Sequence, residues 1–266
     1  MPGRFFDGLD WSQSWFASVC PAAQSVIAAD DWRVQINALA TLTQVVNHRD
    51  QPLTFVPQES LPEGVAYESH ISATAEVPTR ENLHDFFNSL VWLTFPKIKR
   101  QLNALQATQI ITLGVGKSRG PARDAATIFD ENSAILVIEN SSEGQALLTL
   151  LREHSWHAAF IDRRGMFGDK AQTWSFGHAL MEKLATPYKA ITAHAWIVCA
   201  DAEFFSRNWD ERRAWIDERV AMQLATHELS TADYTPLPVL GIPGWWSPQD
   251  ENFYADTNVF RAKRIK

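Results

Sequence analysis

Cysteine is nearly absent from this 266-residue chain. Cys20 and Cys199 stand far apart and outside any CxxC spacing, which excludes a disulfide framework and a cysteine zinc site. No apolar run approaches the length of a membrane span, and the opening MPGRFFDGLDWSQSW lacks the apolar core of a signal peptide. The expected compartment is therefore a reducing cytoplasm, with no membrane among the partners. Positive charge is also in short supply. With 24 Lys and Arg against 31 Asp and Glu the net charge is −7, which excludes a general nucleic-acid binder, because such proteins neutralise phosphates with a basic surface. HExxH and GxSxG do not occur. GVGKS ends like a phosphate loop, yet the glycine required five positions before Gly116 is Ile111.

Aromatic residues are plentiful: 11 Trp and 15 Phe must be buried or line something. The length suits one large domain over residues 1–266, with 1–47 as a helical scaffold and 235–266 as an irregular tail clamped by its tryptophans. Short helices are expected at WSQSWFASVC, AAQSVIAA and WRVQINALATLTQVV, the last capped by Asp30 or Asp31. LTFV and VAYESHI read as strands or extended crossings, IITLGV and AILVIE as strands, QTWSF and TAHAWIVC likewise. GPARDAATIF reads as a helix ended by a DENS turn. Helices are also expected at SSEGQALLTLLREH, with Ser142 and Gln145 as its capping pattern, at GHALMEKLATP, and from Asn208 onward.

The stretch NLHDFFNSLVWLTFPKIKRQLN carries the chemistry. Leu83, Phe86, Phe87, Leu90 and Val91 fall at helical spacing. Pro96 breaks the helix and starts a second, with Thr94 as its expected cap. His84, Asn88 and Trp92 recur every four residues with Asp85 beside them, so a polar face flanks the apolar stripe. An imidazole and a carboxylate on one rigid element supply a metal site or an acid/base pair; the structural alternative is a hydrogen-bonded network at a helix junction. In GHALMEK, His178 and Glu182 lie one turn apart and can reach one ion or form a surface pair. His194, on the strand downstream, either faces the same pocket or packs beside Trp196. The run Lys97, Lys99, Arg100, Lys117, Arg119, Arg123 is broken by no acid before Asp124 and is placed to meet an anion. Arg123 and Asp124 either divide between anion and cation or pair with each other; Asp130 and Glu131 follow. The His84–Asp85 doublet also occurs in metal phosphohydrolases, with His70 as an upstream ligand, but those folds are all-helical and strands are expected here.

On these blocks the chain resembles a bacterial family catalogued as domain of unknown function 3025. The matching pieces are VPTRENLHDFFNSLVWLTFPKIKRQLN, RGPARDAATIFDEN, FGHALMEKL and PVLGIPGWW followed by FYADTNVFR, spanning most of the chain from about residue 66. The resemblance carries over to Arg80, Asn82, His84, Asp85, Asn88, Trp92, Pro96 and Lys97, to Arg119, Arg123, Asp124, Asp130 and Glu131, and to His178 and Glu182. In the tail it reaches Gly241, Pro243, Gly244, Trp245, Asp256 and Arg261. Where the family pattern has glycine after DEN this chain has Ser133, which removes a tight left-handed turn and no chemistry. The resemblance implies no particular reaction.

The expected fold is α+β, a single helix-rich mixed domain with a short central sheet and an irregular Pro/Trp-rich tail. The expected function is a metal-dependent hydrolase acting on an anionic, phosphoester-like substrate. His84, Asp85, Asp124 and Glu182 are its candidate catalytic residues. His84, Asp85, His178 and Glu182 would hold a divalent metal ion, and Arg119, Arg123, Lys97, Asn88 and Trp92 the substrate. Two alternatives stand beside it: a non-catalytic protein-binding domain whose polar network is structural, and a metal-free enzyme using His84 and Asp85 as a dyad.

Overall fold

The computed structural model describes residues 3–113 and 120–263, with the side chains of 111–113 left aside. The chain forms α1 (Cys20–Ile27), α2 (Trp32–Leu42), β1 (Thr54–Pro57), α3 (Tyr67–Thr74), β2 (Glu76–Thr79), α4 (Leu83–Thr94), α5 (Pro96–Leu113) and α6 (Pro121–Asn132). Then come β3 (Ser133–Glu139), α7 (Ser142–Arg152), β4 (Ala171–Ser175), α8 (His178–Leu184), β5 (Thr192–Ala200), α9 (Trp209–Thr226), β6 (Thr235–Pro238) and α10 (Glu251–Tyr254). This is a helix-rich α+β fold. Among the described residues, no helix is long and apolar enough to cross a membrane.

Four strands form the central sheet in the order β4-β3-β5-β6, with β3 parallel to β5 and the outer pairs antiparallel. SAILVIE of β3 is buried almost throughout, as a strand covered on both faces must be. TPLP, expected to be irregular, forms β6 at the edge, where proline removes no ladder bond that a neighbour needs. β1 and β2 form a separate parallel pair joined through α3.

The aromatics do much of the fixing. Phe86 stacks on Phe6 at 4.8 Å between centroids and Phe87 on Phe16 at 5.3 Å, so the N-terminal segment grips the apolar side of α4. Its polar side is left facing the other way. At the far end Trp156 donates to the carbonyl of Arg261 (2.8 Å) and Tyr254 to that of Gly241 (2.8 Å), which holds the tail down.

Several local expectations are overturned. VAYESHI contains the start of α3, not a strand, and the IITL of IITLGV continues α5; the remainder of that stretch, with GVGKS, lies outside the described residues. WSQSWFASVC makes only a short 3-10 turn at Ser14–Phe16 before α1. α6 runs through Asn132 directly into β3, leaving no DENS turn. Ser141, not Ser142, caps α7.

The chain does break at Pro96 as expected, but Thr94 does not cap α5: its hydroxyl donates to Leu90 (2.7 Å). The cap comes from α9. Asp217 accepts from the amides of Lys97 (3.1 Å) and Ile98 (2.9 Å), giving the first turn of α5 the acceptor its sequence lacks. Asp217 is 2% exposed, and burial raises its carboxyl from 3.8 to about 6 against the pull of those amides and of nearby Arg213 and Lys97. The sign follows from linkage. A group whose folded value is raised binds its proton more tightly when folded, so its contribution is full below about pH 4 and is lost as pH rises towards 6 and above. Asp217→Asn keeps a capping oxygen and removes the titration. Relative to wild type, the variant should gain about 2 kcal/mol on going from pH 4.5 to 7.5, read by urea unfolding at both values. A difference that stays constant with pH would refute this assignment.

Candidate functional site

Asn82 caps α4 by accepting from the amide of Asp85 (2.8 Å), which sets the polar face of the helix in place. Asp85 then turns back upon the preceding chain. Its carboxylate accepts from the backbone of Arg80 (2.7 Å), from Nε (2.8 Å) and from a terminal guanidinium nitrogen (3.1 Å). The side chain expected to serve as base and metal ligand is thus engaged in a bidentate ion pair that pins the start of the helix.

His84, one residue earlier, points to α8. Its Nδ1 lies 2.9 Å from Glu182 Oε2 and its Nε2 lies 3.1 Å from Nε2 of His178. The pair expected to share one ion therefore flanks one imidazole, from its two sides. The approach depends on Gly177, which precedes α8. A Cβ there would come within 2.5 Å of the carbonyl oxygen of Glu131, so only glycine lets α8 start this close to the end of α6. His178 is buried and burial lowers its imidazole to about 4, so the ring is neutral at physiological pH. Its Nδ1 makes no hydrogen bond among the described residues and lies 3.9 Å from Asp130 Oδ2.

Behind the histidines runs a second network. Lys99, 3% exposed, donates to Asp130 (2.5 Å) and Asn88 (2.9 Å), and its ammonium lies 5.2 Å from the ring centre of Trp92. Burial opposes the ionisation of Asp130 most strongly, yet Lys99 and the histidines outweigh it and hold that carboxyl below the usual range. Asn88 in turn donates to the Tyr67 hydroxyl (3.0 Å). Burial keeps that phenol protonated, with its proton free to be donated.

These groups surround one cavity of about 490 Å³, walled by Tyr67 and Glu68 of α3, His84, Asp85 and Asn88 of α4, Gln106 of α5, Arg123, Thr127 and Asp130 of α6, and His178. Arg80 and Glu131 also contribute. Burial raises the Glu68 carboxyl, one oxygen of which accepts from Asn103 (2.9 Å). The Arg123 side chain forms no ion pair or hydrogen bond within the described residues, and its Nε is buried without a partner. It is available to a ligand.

Of the expected site residues, the structure brings together His84, Asp85, Asn88, Arg123, His178 and Glu182. Three others fall elsewhere. Asp124 is exposed, about 100° round α6 from Arg123, and does not reach the cavity. Lys97 pairs with Glu218 on the outside of α5, and Trp92 is buried beneath the network. Arg119 lies outside the described residues, as does Lys117. The basic run is dispersed, because Arg100 pairs with Asp50 (2.8 Å). His70 meets Glu76 (3.3 Å) and His194 meets Asn132 (3.1 Å), both away from the cavity wall. Among the described residues, no three His, Cys, Asp or Glu side chains converge on one metal position, so the four-ligand set of His84, Asp85, His178 and Glu182 is not assembled. Sequence reasoning missed Tyr67, Glu68, Gln106 and Thr127.

Fold and cavity together define an α+β protein with a polar, partly buried cavity between α3, α4, α6 and α8. The chain belongs to the DUF3025 family, described as a protein of unknown function, whose model matches residues 53–264. No curated protein and no solved structure matches it.

Proposed function

We propose that the protein is a hydrolase in which the facing imidazoles of His84 and His178 form the water-activating centre. The observation that carries this reading is the contact between their Nε2 atoms, 3.1 Å apart on the wall of a 490 Å³ polar cavity, with Glu182 on the far nitrogen of His84. A carboxylate accepting from Nδ1–H fixes the tautomer and leaves Nε2 of His84 with its lone pair towards Nε2 of His178 at the cavity wall. An imidazole so oriented activates water either by taking its proton or by holding a metal ion to which the water binds.

The charges of the wall indicate the substrate. Arg80 is matched by Asp85, and Asp130 by Lys99 behind it. Arg123, unpaired among the described residues, shares the wall with Glu68 and Glu131. With two carboxylates on the same wall, one guanidinium can hold at most a single negative charge; a dianion would have no second cation to hold it. We therefore favour a substrate with one negative charge, such as a phosphodiester, held by Arg123 and hydrogen-bonded by Tyr67.

The test is turnover of a panel of chromogenic phosphodiesters, phosphomonoesters, carboxylate-bearing esters and amides, with and without added divalent ions. Hydrolysis of a monoanionic class is expected. In Arg123→Gln its KM should rise about 10- to 100-fold, the loss of a charge-assisted hydrogen bond, with a smaller change in kcat. Absence of turnover in every class would remove the hydrolase reading, and an unchanged KM would remove Arg123 from it.

A further inference from the structure

We infer that His84 and His178 together bind one divalent transition-metal ion of the zinc class through their Nε2 atoms, with Glu182 as an outer carboxylate. The inference deepens the reading of this pair as the water-activating centre by naming what the pair holds.

The argument begins with proton placement. Glu182 Oε2 at 2.9 Å calls for Nδ1–H on His84, which makes its Nε2 a lone pair. His178 has two neutral tautomers, and neither is comfortable. With the proton on Nε2 it donates to His84, but its buried Nδ1 then turns a lone pair towards the Asp130 carboxylate 3.9 Å away. With the proton on Nδ1 that mismatch disappears, and two Nε2 lone pairs face each other across 3.1 Å. A cation bound by both nitrogens resolves the second arrangement completely.

The geometry accommodates a metal ion between the two rings as well as it does a bent hydrogen bond. The ring planes stand at 85° and their centroids are only 4.5 Å apart, closer than a head-on N–H···N bond between two imidazoles allows. The nitrogens instead converge at an angle. Metal–imidazole bonds of about 2.0–2.1 Å at angles between 90° and tetrahedral place two nitrogens about 2.8–3.4 Å apart, and the observed contact of 3.1 Å lies in that interval. Glu182, 2.9 Å from Nδ1 of His84, reproduces the carboxylate–histidine–metal order that orients a ligand and raises its basicity. Two imidazoles select zinc, copper, nickel or cobalt over magnesium or calcium, which take oxygen donors. Among the described residues no third His, Cys, Asp or Glu joins the pair, which would leave the remaining coordination sites to water and a substrate oxygen.

The experiment is isothermal titration of zinc chloride into the chelator-treated full-length protein, and into His84→Gln, His178→Gln, Glu182→Gln and His157→Ala, each checked by circular dichroism. One ion per chain is expected in wild type. Saturable binding should be lost in both histidine variants and weakened about 10- to 100-fold in Glu182→Gln. His157, an exposed histidine that meets Glu251 at 3.1 Å, is the control for surface sites, and its variant should bind as wild type does. If buried His178→Gln fails to fold, His84→Gln and Glu182→Gln decide the matter, since both positions face solvent. No binding in wild type, or equal binding in His84→Gln, overturns the inference. Hydrolysis that survives chelation in a protein that binds no zinc would overturn it and leave the hydrolase standing. Stoichiometric binding without hydrolysis of any substrate class would uphold it and remove the hydrolase.

Discussion

Lys99→Met is expected to lower the unfolding free energy by about 3–5 kcal/mol, because it leaves the Asp130 carboxylate buried without its partner. Lys99 and Asp130 are 3% and 7% exposed, and the ammonium holds Asp130 and Asn88 at once. Methionine follows the course of the lysine stem but offers no donor, so Asn88 loses its bond and Asp130 its counter-charge. The cation–π contact with Trp92 goes with them. Lys99→Met/Asp130→Asn should recover part of the loss, since a neutral amide in that place needs no counter-ion. Urea unfolding of both variants at pH 7 measures it. A single variant costing less than about 1 kcal/mol would mean that the pair is hydrated, and that the cavity reaches deeper than the walls described above.

His84→Gln should reduce kcat/KM by at least about 10³-fold while changing stability by no more than about 1 kcal/mol. The asymmetry comes from position. The His84 side chain is 32% exposed and supports no core packing, so glutamine replaces its volume at the cavity wall without opening a void. It cannot replace a nitrogen lone pair held between a carboxylate and a second imidazole. Kinetics on the substrate class identified by the panel, beside a thermal melt, separate the two effects. A variant that keeps wild-type turnover and loses stability would mark the Glu182–His84–His178 chain as scaffold, which is the reading of this polar network as structural.

The sequence made one half of the site legible and concealed the other, for identifiable reasons. His84 and Asn88 follow the period of a long amphipathic helix whose apolar stripe is unmistakable, and His178 and Glu182 sit one turn apart on another. Helical rotation then sorts what mere proximity in sequence does not. Lys97 and Lys99 are about 200° apart round α5, so one faces solvent and Glu218 while the other enters the core. α3 was hidden because it carries neither usual end signal. Ala66 offers no side-chain cap, and Ala75 takes the left-handed turn at φ 59° where glycine or asparagine is the expected residue. Reading VAYESHI as a strand put Tyr67 and Glu68 out of the site. The cap of α5 was beyond any local reading, since Asp217 lies 120 residues from Lys97.

The central claim is that His84 and His178 act as one centre, and a double-variant cycle tests it most directly. Turnover of the monoanionic substrate would be measured for wild type, His84→Gln, His178→Gln and the doubly substituted chain. If the two imidazoles share one task, each single substitution removes it and the double variant is no slower than the worse single. Losses that multiply, or a His178→Gln protein as fast as wild type, would mean that the two histidines are neighbours without a common function.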